Sequence, residues 1–352
     1  MAYSTIPKGS LYMNTKLWTG NSTDNRSITG VGFQPDWVWI KERSATNSHS
    51  LFDAVRGANK QLQSNADAAQ YDFSGDPNQE LKSFTSDGFT LGTGGGVNNN
   101  SDTYVGWNWK AGTTSVPSGG SITPSAVSIN TTSGFGIYTY PGNSTSGATI
   151  AHGLGIAPQM LIIKRYDGAD NWVVGHESLG WSGTNYLNLN LTNAAAAQNM
   201  WNNDAPTSTL IRLGNYGHVN GSGDNFICYA FAPIKGYSKF GSYKGNGNSV
   251  GPMIFTGFKS AFIMLKKYDA ASYWSMMDNK RPGINPIDET LKANATDAES
   301  DIGDFDFLSN GFKIRATTGN VNSSGYNYIY MAFASNPFVA TSGSDAIPVT
   351  AE

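Results

Sequence analysis

A single cysteine, Cys228, stands in a chain of 352 residues, which excludes an intramolecular disulfide and a thiolate cluster for zinc or iron. Charge is also scarce: 14% of residues are Asp, Glu, Lys or Arg, and 23 basic against 26 acidic residues leave a net charge of -3. No basic run could track a phosphate backbone, so nucleic acid is not expected as a partner. Nowhere do eighteen apolar residues run together, and the first residues lack the basic start and apolar stretch of a secretory signal. The expectation is a protein made in the cytoplasm, with no membrane insertion. So little charge also argues against long exposed helices and leaves solubility to Ser, Thr, Asn and 41 glycines.

What the chain does have is internal repetition. An aromatic followed by X-Gly-Asn recurs at Trp18-Gly20-Asn21, Tyr140-Gly142-Asn143 and Tyr243-Gly245-Asn246. An apolar run ending in lysine recurs at Trp37–Lys41, Met160–Lys164 and Phe262–Lys266. Leu-X-X-Asn follows at Leu62/Asn65, Leu187/Asn190 and Leu291/Asn294, and a Val-Asn turn precedes an aromatic strand at Asn98, Asn220 and Asn322. From the lysine to the turn asparagine the spacing is 57, 56 and 56 residues (41 to 98, 164 to 220, 266 to 322). A repeat of about 100 residues is long enough to close its own core, unlike the 20–50-residue units of a solenoid.

The expected order is an N-terminal docking arm (1–16, with apolar Tyr3, Ile6, Leu11, Tyr12 and Met13), a first repeat (17–111), a Gly/Ser/Thr/Pro linker (112–134), a second repeat (135–235), a third (236–338) and a C-terminal tail (339–352). Within each repeat the apolar stretches are short, β-branched or aromatic, and bounded by Gly, Asn, Asp or Pro, as strands are. Trp37-Val38-Trp39-Ile40 is apolar on both faces, so it reads as a central strand covered on both sides. Asp87-Gly88 and Asn310-Gly311 read as tight hairpin turns with positive φ. One short helix is expected near Asn193–Trp201, an alanine run behind an asparagine cap. The fold class is all-β: three tandem related antiparallel β-sandwich, jelly-roll-like domains, with a concanavalin-like sandwich as the rival.

Catalysis needs convergent bases, nucleophiles or carboxyl pairs. His49, His152, His176 and His218 occupy different places in different repeats, and His176 falls where the other copies have Asp53 and Asp278. A polar residue bonding a neighbouring turn explains them better than a catalytic one. Gly94-Gly95-Gly96 lacks the Gly-Lys-Ser/Thr ending of a phosphate loop. The series Asp297, Glu299, Asp301, Asp304 and Asp306 has the alternating oxygens that calcium favours, but not the spacing of a calcium loop. Asp167, Asp170 and Asn171 form a weaker set of the same kind, and no cofactor is expected. Trp181, Tyr186, Trp201 and Tyr216 lie among Asn, Ser and Gly in segments peculiar to the second repeat. Rings beside amides suit a sugar, which stacks on the ring and bonds the amides, so these four are the candidate glycan-binding residues.

The stretches Ile28–Lys41 (Ile-Thr-Gly-Val-Gly-Phe-Gln-Pro-Asp-Trp-Val-Trp-Ile-Lys), Phe52–Gly57, Ser86–Gly92, Tyr104–Gly112 and Ala151–Pro158 together resemble a repeat domain of virion and tail-fibre structural proteins of marine, cyanophage-type bacteriophages. The resemblance runs from about Trp18 to Phe338. It implies a place on a virion after synthesis in the host cytoplasm, and it carries over no catalytic residue. Coiled-coil heptads and collagen-like Gly-X-Y repeats are missing. The expected function is a non-catalytic virion surface protein, a tail-fibre or receptor-binding component contacting the host envelope. Its partners would be other virion proteins, a host surface glycan and further copies of itself, with a trimer as the expected oligomer. A capsid decoration or head-fibre protein is the first alternative and a glycan-active tailspike enzyme the second, the latter requiring two facing carboxyls.

Overall fold

The computed structural model describes residues 4–182 and 185–338, apart from the side chains of 302–304. The expected tail, 339–352, and Tyr3 of the arm lie outside them. The described chain is almost entirely β, in several antiparallel sheets, with helix confined to single turns. No helix among these residues is long and apolar enough to cross a membrane.

The same five-strand order occurs three times. An opening strand (Met13–Thr19, Phe135–Pro141, Ser238–Lys244) pairs with the closing strand (Thr103–Trp109, Asn225–Phe231, Asn327–Pro337). The closing strand pairs with a middle strand (Trp37–Glu42, Met160–Arg165, Phe258–Lys267), which pairs with a return strand (Ser50–Asp53, Val173–His176, Trp274–Asp278) and then a fifth (Gly57–Leu62, Asn185–Asn188, Ile287–Lys292). A smaller layer lies beside each main sheet: Arg26–Ile28 with Gly88–Leu91 and Leu81–Thr85, Ala148–Ala151 with Leu210–Leu213, and Met253–Phe255 with Gly311–Ile314 and Ser300–Leu308. In the third copy this layer continues the main sheet as eight strands.

The recurring anchors make one device. The buried Asn98, Asn220 and Asn322 end one-turn helices and accept from the amides of Asn21, Asn143 and Asn246 at 3.1, 2.8 and 2.9 Å. Their carboxamides donate to Gly92, Gly214 and Ala316 carbonyls at 2.8, 2.9 and 2.9 Å. The aromatic that opens each repeat donates to the preceding valine: Trp18 to Val97 at 2.9 Å, Tyr140 to Val219 and Tyr243 to Val321 at 2.7 Å. Gly142 is required by this approach, since a Cβ there would sit 2.1 Å from the Gly221 carbonyl.

The middle strand Trp37–Glu42 is buried throughout, and its two faces meet different things. Val38 and Ile40 face the first copy's own second layer with Phe52, Phe89 and Leu91. Trp37 and Trp39 enter a core that draws on all three copies, with Tyr229, Phe231, Phe262 and Phe333 among its members. The Trp37 ring stacks on Tyr229 at 4.4 Å and lies 4.6 Å from Trp109; Trp109 meets Phe262 edge-on at 5.6 Å. The repeats therefore do not each close a separate core, because the second apolar face of each main sheet is covered by the other two copies.

Other expectations also change. Segment 112–134 is not simply a linker: Ala126–Asn130 pairs with the opening strand of the second copy, and Thr113 bridges to Ile129. The Asn193–Trp201 helix does not form. Ala196-Ala197 pair with Tyr186 and Asn185, and Ala195 N–H bonds the Tyr268 carbonyl of the third copy, contacts worth more than a run too short to hold a helix alone. Gly88 and Gly311 answer close approach, a Cβ at either falling 2.0 Å from the Ile28 or Ile254 carbonyl; Gly311 is not at positive φ. The arm folds onto its own chain: Ile6 is buried, Gly9 lies against the Ala334 carbonyl, Tyr12 meets Tyr237 edge-on at 6.0 Å, and Met13 already begins the opening strand.

Candidate functional site

The candidate glycan residues do not form an open platform. Trp201 is 0% exposed and Trp181 7%. Their rings meet edge-on at 5.3 Å inside the second copy's core, and the Trp201 indole N–H donates to the Asn185 carbonyl at 3.0 Å. Tyr186 and Tyr216 are partly buried against the same cluster. An indole buried in a cluster with Met200, Leu213 and another ring has no free surface on which a sugar could stack, so the tryptophans serve packing.

The acidic segment is also engaged. Glu299 takes a bidentate pair from Arg43 at 2.6–3.0 Å and a third contact from Arg281 at 2.9 Å. Asp297 pairs with Lys292 at 2.5 Å and Asp306 with Arg315 at 2.8 Å. Asp301 is exposed on a strand paired with Glu289, and the Asp304 side chain lies outside the described residues. Asp167 accepts from Arg165 and Asn225, while Asp170 pairs with His218. Among the described residues no three His, Cys, Asp or Glu converge as metal ligands. Glu299 holds cations of the chain itself, and sequence spacing could not reveal that its partner Arg43 would come from 256 residues away.

What the polar residues do build is a closed cycle of seams. In the register of the three sheets, Asp53, His176 and Asp278 are equivalent, opposite Trp37, Met160 and Phe262. Asp53, of copy one, accepts from the Tyr229 hydroxyl of copy two at 2.8 Å. His176, of copy two, bonds the Tyr330 carbonyl of copy three at 3.1 Å. Asp278, of copy three, accepts from the Trp107 indole of copy one at 3.0 Å. The residue type follows the partner. Trp107, Tyr229 and Met331 are equivalent on the closing strands. Where the partner offers N–H or O–H, an aspartate receives it and is neutralised by Arg56 or Arg281 three residues on, each at 2.7 Å. Where the partner is Met331, with nothing to donate, a histidine turns to the backbone instead and Leu179 stands in the arginine's place.

A second seam runs the other way round. The His49 Nε2–H reaches the Lys292 carbonyl (copy one to three) at 2.9 Å, the Trp172 indole the Gln63 carbonyl (two to one) at 2.9 Å, and the Trp274 indole the Asn188 carbonyl (three to two) at 2.9 Å. The anchor asparagines hold these residues by their amides: Asn65 to His49, Asn190 to Trp172, Asn294 to Trp274. The anchor lysines are buried beside them. Lys164 donates to Asp67 O at 3.1 Å and Lys266 to Thr192 O at 2.8 Å, each in the preceding copy, and Lys41 to Glu42 O at 2.6 Å. Burial pushes Lys41 and Lys164 down to about 8 and Lys266 to about 7.

Three of the four histidines share one protonation pattern. Nδ1 of His49, His152 and His176 accepts from Trp39, Leu154 and Ser178 at 2.8, 3.1 and 3.1 Å, which places the proton on Nε2. Burial lowers His49 to about 3 and His176 to about 4, so both are neutral at physiological pH. A buried neutral histidine bonded at both nitrogens to groups that stay put is a strut between copies. The sequence signal for these seams was the lysine and asparagine of the anchors, legible as recurrence but not as contacts.

Residues 8–337 match the family described as a domain of unknown function (DUF7483), and the chain belongs to that family. No curated protein and no solved structure matches the chain.

Proposed function

We propose that the chain is a non-catalytic surface component of a bacteriophage particle, most directly a tail-fibre or receptor-binding protein whose outer loops meet the host envelope. The observation that carries the reading is the closed cycle: Asp53, His176 and Asp278 each bind the next copy, and the buried lysines bind carbonyl oxygens. Groups of the kind that enzymes place in clefts are here committed to rigidity. The outer loops and exposed apolar side chains such as Phe255, Met253 and Ile284 are left for other molecules. In this reading each copy is a jelly-roll-like β-sandwich, its inner sheet facing the shared core, and the anchors that resemble phage virion repeats are the parts that lock the three together. Contacts with other virion proteins, and any further association of whole chains, would use the outer faces.

A capsid-decoration role is the second reading, favoured by the shared core that locks the three copies together. Gold-labelled antibody to this protein on intact particles separates the two: label confined to the tail supports the adhesin, label over the head supports decoration, and unlabelled particles refute both.

A further inference from the structure

The second copy's opening strand does not end its sheet. Residues 126–130 lie along its outer edge, with Ala126, Ser128 and Asn130 opposite Thr139, Ile137 and Phe135. The same segment borders that copy's second layer, where the Ile122 N–H donates to the Thr149 carbonyl at 2.9 Å and a Cβ on Gly120 would fall 2.6 Å from the Ala151 nitrogen. One length of chain thus covers two strand edges at once. In the third copy nothing among the described residues does so: Ser238–Lys244 is one end strand of the eight-stranded sheet and Met253–Phe255 is the other.

Which backbone groups this leaves bare follows from the pairing. Tyr237 accepts from the Ala334 N–H and Gly245 donates to the Tyr326 carbonyl, so the odd-numbered residues between them face the closing strand. Phe240 and Ser242 turn their N–H and C=O groups the other way, where no backbone group among the described residues meets them. In register they correspond to Ile137 and Thr139, which Ser128 and Ala126 cover in copy two. A hollow of about 460 Å³ adjoins this edge, with Gln159, Ser238, Phe240, Phe255 and Thr256 among its lining residues. Gln159 precedes Met160 as Asp36 precedes Trp37, and the Asp36 carboxylate accepts from the Ser128 hydroxyl of the covering strand at 2.9 Å. At the junction of copies two and three the hollow therefore takes the place that a strand fills at the junction of copies one and two.

The first copy's opening strand also ends its sheet, but its surroundings differ. Ile28, Ile150 and Ile254 are equivalent, opposite Phe89, Ile211 and Phe312. Ile28 is flanked by Ser27 and Thr29, and Ile150 by Thr149 and Ala151, which are buried. Ile254 is flanked by Met253 and Phe255, 43% and 53% exposed. Hydroxyls keep a bare edge solvated, whereas large apolar side chains beside unpaired backbone make it adhesive. Lys239 already donates to the Phe255 carbonyl at 2.6 Å, so the opening strand is the edge left to pair.

We infer that Ser238–Lys244 accepts an antiparallel strand from a partner protein, an extended uncharged segment in which small or hydroxyl residues alternate with β-branched ones. Ala126–Asn130 (Ala-Val-Ser-Ile-Asn), seated on the equivalent edge, shows the kind of segment that fits. Backbone bonds to Phe240 and Ser242 hold the incoming strand, its β-branched side chains pack beside Phe255, and a hydroxyl meets the Gln159 carboxamide. The inference goes beyond the particle reading and needs nothing from it, since the antibody label tests that reading by itself.

Fluorescence anisotropy on the full chain tests it, with a labelled synthetic peptide of residues 121–131 as the probe. The peptide should bind saturably and slow amide exchange at 240 and 242, leaving 13–19 unchanged. N-methylation at Ala126 and Ser128, whose N–H groups face the edge, should weaken binding about tenfold. The same modification at Val127 and Ile129, whose N–H groups face away, should change it less than about twofold. Phe255→Thr, at an exposed position, should weaken it about fivefold. Ser242→Pro, which removes an outward donor, should weaken it about tenfold; if that variant misfolds by circular dichroism, the methylated peptides still decide. No binding up to about 1 mM peptide, equal loss with both methylated peptides, or protection at 13–19 in place of 240 and 242 overturns the inference. So does binding that appears only once residues 339–352 are removed, because the chain would then supply its own cover.

Discussion

Replacing His176 with aspartate makes the second copy resemble the other two in sequence and should make it worse in structure. The carboxylate would sit where Met331 offers no donor and where Leu179 replaces the arginine that neutralises Asp53 and Asp278. It would retain an amide bond from residue 178, as Asp278 has from Lys280 at 2.9 Å, and nothing more. An uncompensated buried charge costs about 3–5 kcal/mol. With an unfolding entropy of roughly 2.1 cal/mol/K per residue, 352 residues convert that into a fall in Tm of about 4–7 °C, if the shared core melts as one unit. Differential scanning calorimetry at pH 7.5 reads it directly. At pH 5 the loss should be smaller, because the new carboxyl can be protonated. Adding Leu179→Arg should recover part of the loss, and Met331→Tyr on top of it most of the rest. A single variant within about 1 °C of the parent, or an arginine that lowers Tm further, would refute the claim that residue type at this position follows its partner in the next copy.

Acid should weaken the fold before its carboxylates titrate. His49 and His176 are held near 3 and 4 against 6.5 unfolded, so the unfolded chain binds more protons below pH 6.5 and stability falls from there toward pH 4. The loss approaches about 3 kcal/mol for His176, and urea midpoints at pH 7.5, 5.5 and 4.5 should decline less steeply in His176→Gln. Glu80, buried beside Ser50 at 3.1 Å and raised to about 7 by burial, acts oppositely: its contribution is complete below pH 4.5 and lost as pH rises through 7. Glu80→Gln should therefore be more favourable at pH 8 than at pH 5 in the same titration. Asn220→Ala removes an acceptor and two donors inside a buried turn and should cost about 2–4 kcal/mol, with amide exchange quickening first at residues 143–147. Residues 4–111 expressed alone would expose Trp37, Trp39, Trp107 and Trp109, and should give a chain without a cooperative thermal transition; a sharp, reversible melt would contradict the shared core.

The repetition was legible in the sequence because it is carried by residues whose roles are local and identical in each copy: the aromatic, the glycine and the two asparagines of the clamp. All-β character was legible for the same reason, since short β-branched and aromatic runs between turn residues have few other uses. The relation between copies was not. Trp37-Val-Trp-Ile announced that both faces of a strand are covered, but a second apolar face looks the same whether its cover is a sheet of the same repeat or of another. Segment 112–134 was misleading because an edge-covering strand and a linker draw on the same Gly, Ser, Thr and Pro. Trp181 and Trp201 were misleading because the polar composition of their segments does not reveal that both rings turn inward to the second copy's core.

A ring made of three separate identical chains would repeat every substitution at all three seams. Here the seams are encoded independently, so a change such as methionine for tyrosine at 331 could be answered locally by histidine at 176, while Asp53 and Asp278 kept their original partners. Covalent linkage frees each junction to drift or specialise without the agreement of the others.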